Sequence, residues 1–363
     1  MRFRIIPNLE KNLRLLSFSQ TNYGKACILA IYLTGLHSVA SWLFPWIIAP
    51  YLIFTFASRF RSLALTITTL SALAVNLKNF LPFDIVKFDQ LALTRWEWEL
   101  FGIYILILAL FFFYIRVYRR FSKTHLKHPF LVLMLAFIAS CALLSNVQMH
   151  PTLQAYAWIF VLIFGKFIWQ FGYALADDPH LRNDPYFHQI GAYRPFWYST
   201  AVPIPKGFRY LKEIEAKNSE ELAISQLKGI KLFLWYAILN FFLLTLNAVF
   251  HGDKNTLRNW IAFEIPLPTM QDLFKLQSEG KNAPFYSFWL AAASTFFLDA
   301  LFRGVQVHLA VSMVRMAGYN ALRGMYKPFS ANSIHEFYNR YSYYFKEVLV
   351  HTFFYPTYFT CFK

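Results

Sequence analysis

The stretch LFLWYAILNFFLLTLNAVF, residues Leu232–Phe250, holds no Asp, Glu, Lys or Arg and is bounded by Lys231 and His251. A bilayer core about 30 Å thick is crossed by about 20 apolar residues rising about 1.5 Å each. The stretch therefore has the length and chemistry of one membrane span. Six further regions read the same way: Cys27–Phe56, Leu63–Leu77, Leu100–Tyr118, Phe130–Val147, Leu153–Leu175 and Phe285–Tyr319. The first and last exceed what one straight span needs, and Pro45 and Pro50 in the first predict a broken helix or two short ones. The fold class is accordingly all-α, a polytopic transmembrane helical bundle of about 7–9 spans.

Composition agrees. Of 363 residues 57% are hydrophobic and 15% charged, with 41 Phe, 22 Tyr and 10 Trp. A soluble domain carries about 25% charge. The net charge of +16 would point to nucleic acid in a soluble protein. Its distribution points elsewhere. With the N-terminus, Arg59–Arg61, Arg116–Lys127, Arg182–Lys231 and Arg323–Lys327 on one side, that side holds 22 basic residues, against 7 in Lys78–Arg95 and Lys254–Lys281. Short loops keep Lys and Arg in the cytoplasm, so the excess sets an orientation and marks contact with lipid headgroups, with no nucleic-acid partner implied. No cleavable signal precedes Lys25. Cys27, Cys141 and Cys361 are too far apart for a disulfide framework or zinc site.

No repeat or flexible linker divides the chain, so residues 1–363 read as a single integral membrane domain. Residues 177–230 read as a cytoplasmic loop within it. The aromatic, Pro-rich first part of that loop suits the headgroup region, and a helix is expected over Phe208–Leu227. Asp177, Asp178, His180, Asp184 and His188 form its densest acidic and His cluster, read as a solvated helix end because the spacing matches no calcium loop. His125 and His128 sit in a basic loop without a third metal ligand. Lys166, inside an apolar run, is expected to snorkel or pair. Phosphate-loop and nucleophile-elbow motifs are absent.

Two places put ionisable groups against apolar sequence. Within Phe285–Tyr319, Asp299 and Arg303 stand at i, i+4, where an ion pair offsets two expensive charges; with His308 they are also the raw material of a polar pathway. In Ser330–Lys363, His335, Asn339, Ser342 and Lys346 fall within about 60° of one another at 100° per residue. Glu336, Arg340 and Glu347 flank this stripe, while Phe337, Tyr341, Tyr344, Phe345, Val348 and Leu349 lie opposite. Such a polar-striped C-terminal helix either rests at the interface or lines a polar cavity in the bundle.

The segment Glu336-Phe-Tyr-Asn-Arg-Tyr-Ser342, followed by Tyr343–Pro356, resembles the signature of the membrane-bound O-acyltransferase family. Glu336, Phe337 and Tyr338 stand where that signature has its acidic residue and Phe-Trp. Arg340 and Tyr341 stand at its Arg-aromatic pair, and Tyr355-Pro356 at its aromatic-Pro end. Ser342 occupies the position of the signature's His or Asn. The family's catalytic His lies in a later apolar helix, whereas this sequence stops at Lys363, so the resemblance implies a shortened or non-catalytic homologue. It also implies acyl transfer from a thioester donor, acyl-CoA or acyl carrier protein, to a hydroxylated or amine acceptor, with no permanently bound cofactor. The site would be Ser342 with His335, Asn339 and Arg340. The Tyr343-Tyr-Phe-Lys346 form resembles bacterial relatives and implies the bacterial cytoplasmic membrane. A non-catalytic component of lipid or polysaccharide export, or a scaffold, is the alternative from another class. A transporter built on inverted repeats lacks the internal symmetry.

Overall fold

A computed structural model describes residues 6–39, 44–75, 129–177, 185–197, 207–251 and 267–350, with isolated positions at 102, 105, 106, 109, 354, 355 and 358. Its helices are α1 (Leu13–Gln20), α2 (Asn22–Val39), α3 (Phe44–Phe56), α4 (Arg61–Val75), α5 (Pro129–Asn146), α6 (Pro151–Ala176) and α7 (Tyr186–Tyr193). They continue as α8 (Phe208–Glu213), α9 (Ser219–His251), α10 (Met270–Ser278), α11 (Phe285–Met316), α12 (Ile334–Tyr341) and α13 (Tyr343–Leu349). Among the described residues there is no extended strand. Two helices, α9 with 33 residues and α11 with 32, are long and apolar enough to cross a membrane. A third is α6, if Leu153–Leu162 and Phe167–Leu175, bent by 55°, make one span. The expected Leu100–Tyr118 span lies almost wholly outside the described residues.

Differences from the sequence expectations have local causes. The Cys27–Phe56 region forms two helices, but Pro50 lies inside α3 and does not end it. Pro45 sits in the first turn of α3, where an N–H has no intrahelical partner to lose. Ile47, Tyr51 and Phe54 on the same helix are fully buried, and that packing outweighs the one bond Pro50 removes. The helix expected over Phe208–Leu227 is divided, α8 ending at Glu213 and α9 starting at Ser219. The Asn218 side chain accepts from Glu221 N–H at 2.8 Å while the Glu221 carboxylate accepts from Lys217 N–H at 2.8 Å. This reciprocal cap fixes a new helix start.

Cα packing separates two compact units. One comprises Met1–Tyr32, Ser199–Val202 and Ala216–Phe345; the other comprises Leu33–Tyr198, Pro203–Glu215 and Lys346–Lys363. The first is organised by α9 against α11. Ser225 Oγ donates to Arg315 O and Ser312 Oγ to Gly229 O, each at 2.9 Å. Further along, Tyr236 and Leu243 pack with Val305 and Leu298. Rising numbers on α9 thus meet falling numbers on α11, so the two run antiparallel. At the end of α11, Gly318 takes φ 88°, and the N–H groups of Gly318 and Tyr319 bond to Arg315 O at 3.0 Å and Val314 O at 3.2 Å. A left-handed residue there stops the helix, and glycine adopts it without a Cβ penalty.

In the second unit α7 lies directly on α4. Thr66 Oγ1 donates to His188 O at 3.1 Å and accepts from Gly191 N–H at 3.0 Å. A Cβ on Gly191 would stand 2.6 Å from the Thr66 backbone, so the close approach requires glycine. Arg61, 1% exposed at the start of α4, donates to Glu215 Oε1 at 2.9 Å and to Phe54 O at 3.1 Å. Arg194 lies 4.1 Å over the Phe167 ring. Phe130, Tyr173 and Val348 form a small core.

Candidate functional site

The polar-striped terminal segment is not one helix. It breaks at Ser342, whose backbone (φ −147°, ψ 75°) leaves the helical region, so α12 carries His335 and Asn339 and α13 carries Lys346. The expected four-residue stripe is therefore corrected to a pair. The cause is packing after the break: Tyr343 N–H bonds to Gly324 O at 2.9 Å and the Tyr344 hydroxyl donates to Leu322 O at 2.8 Å. The Tyr343 bond takes the place of the intrahelical one its N–H would have made in a continuous helix, and the Tyr344 hydroxyl adds a side-chain anchor.

α12 is built from local chemistry. Ser333 Oγ accepts from Glu336 N–H at 3.1 Å and Glu336 Oε2 accepts from Asn332 N–H at 2.7 Å, so side chain and backbone exchange bonds at the helix start. The other Glu336 oxygen pairs with Arg340, as the i, i+4 spacing predicts. The Asn332 N–H, and then Arg340, hold the Glu336 carboxyl below its ordinary range, against an opposing effect of burial. One turn apart, Asn339 Nδ2 lies 2.9 Å from His335 Nε2. His335 is exposed; Asn339, Arg340 and Ser342 are partly buried.

The aromatic side of α12 is anchored on α11 through a column of rings. Phe297 meets Phe329 at 5.9 Å, Phe329 meets Phe337 at 6.3 Å, and Phe337 stacks on Tyr341 at 5.1 Å. Such aromatic pairs add about 0.5–1.5 kcal/mol each beyond area burial. The column brings Tyr341 within electrostatic range of Asp299 and Arg303. Burial raises the Tyr341 phenol above its ordinary value, with Arg303 opposing and Asp299 and Tyr338 reinforcing the rise. Among the described residues no ion pair within 4.0 Å joins Asp299 to Arg303, and both are exposed on α11. His308 is partly buried, its Nδ1 2.7 Å from Gly304 O. A carbonyl only accepts, so Nδ1 carries the proton in that bond.

Elsewhere, Asp177 is a cap and not a solvated end. Its Oδ2 accepts from Phe208 N–H at 2.7 Å, beside Gly207 at φ 111°. His188 presents its carbonyl to Thr66. Asp178, His180, Asp184, His125 and His128, and the side chain of Lys166, lie outside the described residues. Among the described residues no group of three or more His, Cys, Asp or Glu could hold a metal ion.

Sequence reasoning placed Asp299 and Arg303 by spacing alone and did not place Tyr341 within their electrostatic range. The residue was visible only as part of an apolar face, and no local signal announces the ring column from Phe297 through Phe329 and Phe337 that leads to it. No protein-family model, curated protein or solved structure matches the chain. Among the described residues the regular structure is helical, with helices long and apolar enough to cross a membrane.

Proposed function

We propose that the chain is a membrane-embedded protein of the O-acyltransferase type, moving an acyl group from a thioester donor to a hydroxyl or amine acceptor. In this reading it spans a bacterial cytoplasmic membrane about 7–9 times with its basic loops inside. The observation that carries the reading is the arrangement on α12. Glu336–Arg340 and His335–Asn339 form adjacent i, i+4 pairs immediately before Ser342, in the segment whose sequence resembles that family's signature.

The chemistry follows from those groups. With the Asn339 amide turned so that Oδ1 accepts from His335 Nε2–H, Nδ1 is the free base. It takes the proton of the acceptor as the acceptor oxygen or nitrogen attacks the thioester carbon. The carbon–sulfur bond breaks, and the departing thiolate receives the proton. Arg340, already fixed by Glu336, is placed to favour negative charge on the donor.

The test is transfer of labelled acyl groups from acyl-CoA in membranes containing the full chain, against membranes lacking it. His335→Ala is expected to lower the rate about 100-fold, the usual scale for a general base, and Ser342→Ala to lower it as well. Transfer at the background level favours a second reading, a non-catalytic component of lipid or polysaccharide export or a scaffold. The exposure of His335 supports that second reading, since acyl transfer benefits from a water-excluding site.

A further inference from the structure

Beyond the end of α11 the chain turns back along that helix. Arg315 Nε and Nη2 donate to Ala321 O at 2.8 and 2.6 Å. A Cβ on Gly324 would stand 2.5 Å from Val307 Cγ1, and one on Gly304 would stand 3.2 Å from Met325 Sδ. The Phe329 ring meets Phe297 at 5.9 Å. Rising numbers from Ala321 to Phe329 therefore meet falling numbers on α11, from Arg315 to Phe297. This returning limb is not an α-helix: residues 321–327 carry no helix, and one 3-10 turn follows at Pro328–Ser330. α12 then runs back beside the limb, with Tyr326 N–H bonded to Arg340 O and Tyr343 N–H to Gly324 O, each at 2.9 Å. Limb, turn and α12 make a hairpin that leans on one side of α11.

The register of α9 on α11 fixes how deep the hairpin reaches. Ser225 with Arg315, Gly229 with Ser312, and Tyr236 and Leu243 with Val305 and Leu298 all follow one antiparallel register. Along it, Phe297 of α11 stands level with Leu244 of α9. The charge-free run of α9 starts at Leu232, so the turn at Phe329 lies about 18 Å inside that run at a rise of about 1.5 Å per residue. That is near the middle of a bilayer core about 30 Å thick. Phe337 of α12 is held at a similar depth by its 6.3 Å contact with Phe329. Asp299 and Arg303, both exposed on α11, fall in the same zone.

Lipid cannot satisfy free backbone groups or solvate charge, so non-helical chain and ionisable side chains persist at membrane depth only where protein buries them or water reaches them. Protein does not bury this hairpin. Leu322, Lys327 and Ser330 on the limb and His335 on α12 are exposed. Among the described residues the N–H groups of Leu322, Arg323 and Lys327 have no backbone partner.

We infer that residues 321–344 form a re-entrant hairpin, which enters the membrane from the side where α9 begins, turns back near mid-depth and lines a water-filled vestibule open to that side. Water in the vestibule satisfies the N–H groups of the limb and solvates Asp299, Arg303 and the polar side of α12. Water-borne solutes reach His335 from that side alone. The inference rests on the membrane-embedded part of the reading above and not on acyl transfer.

The experiment labels single-cysteine variants of the full chain in sealed membrane vesicles with a membrane-impermeant sulfonated maleimide, Cys27, Cys141 and Cys361 being replaced by Ser. Glu220→Cys, exposed at the start of α9, marks the side. Ser330→Cys and Asn332→Cys, at exposed positions of the hairpin, are expected to label wherever Glu220→Cys labels and to stay unlabelled in vesicles of the opposite orientation. Phe241→Cys, exposed on α9 at the same depth, is expected to stay unlabelled in both. Labelling of Phe241→Cys overturns the membrane reading and the inference with it. With Phe241→Cys unlabelled, a hairpin that stays unlabelled, or that labels from the opposite side, overturns the inference alone. Depth is read from a bimane on Ser330→Cys, expected to be quenched more by nitroxide in the middle of the acyl chains than by nitroxide at the headgroup; the reverse order places the hairpin at the surface and overturns the inference. The wild-type chain in lipid nanodiscs needs no substitution. The amides of Leu322, Arg323 and Lys327 are expected to exchange with solvent deuterium while residues 232–250 stay protected, and equal protection of both overturns the inference.

Discussion

Arg61 shows what a single buried charge does in this chain. The guanidinium bonds both to Glu215, with a side chain 18% exposed, and to the carbonyl of Phe54, so three separate stretches of sequence meet at one side chain. The sequence placed Arg61 in a basic loop facing headgroups; burial shows it to be a structural tie. Removing one member of such a pair strands the other, and Arg61→Ala is expected to destabilise the second unit by about 3 kcal/mol. The measurement is thermal unfolding in detergent, and an unchanged midpoint counts against the tie. Glu336 makes a different, pH-dependent contribution. Its folded carboxyl titrates below the ordinary value, so the stabilisation is complete above the unfolded pKa and is lost as pH falls through the folded one. The protection of the α12 amides, measured against their intrinsic exchange rates at each pH, is therefore expected to fall below about pH 4.5, the region of an ordinary Glu, and Glu336→Gln to remove that dependence. His335 and Asn339 were legible by spacing, and their mutual contact follows from i, i+4 geometry alone. The break at Ser342 was not, because serine is compatible with a helix and the bonds that end it come from the chain around Leu322 and Gly324.

At the scale of elements, two glycines separate two kinds of close packing. A Cβ at Gly191 would meet the backbone of Thr66 and Leu65 at 2.6–2.7 Å, and backbone cannot move aside without shifting α4. Gly191→Ala is expected to cost about 1–3 kcal/mol, the range of overpacked interiors. At Gly229 the same atom would meet Met316 Cγ and Sδ at 3.1 Å, the end of a flexible side chain, and Arg315 Cβ at 3.3 Å. Gly229→Ala is expected to be far milder, helped by the higher helix propensity of alanine. Unfolding midpoints of the two variants side by side test this ordering. The helices α9 and α11 were visible as apolar runs, but the apolar run in α9 marks only part of it. The helix extends from Ser219, because Asn218 and Glu221 cap it there. The region of Pro45 and Pro50 forms two helices as expected, but Pro50 does not end the second, because the tertiary packing of Tyr51 and Phe54 offsets its fixed cost.

At the scale of the molecule, exposed apolar side chains such as Phe241, Phe242, Leu290 and Phe296 stud the long helices of the first unit, and Leu131, Leu135 and Ile138 do so on α5 in the second. In water such surface would drive aggregation; against lipid it carries no penalty. The protein is accordingly expected to remain in the membrane pellet after alkaline carbonate washing and to be released by detergent, and release by carbonate alone would contradict membrane insertion. Sequence by itself determined the helical class and the membrane-length apolar helices, because backbone bonds and hydrophobic length are properties of consecutive residues. It also determined the Glu336–Arg340 pair, which one helical turn brings together. Only the tertiary structure decided that Arg61 meets Glu215 and that Ser225 meets Arg315. Those meetings join residues remote in sequence, and their distances are set by how helices pack, which no local pattern of residues encodes.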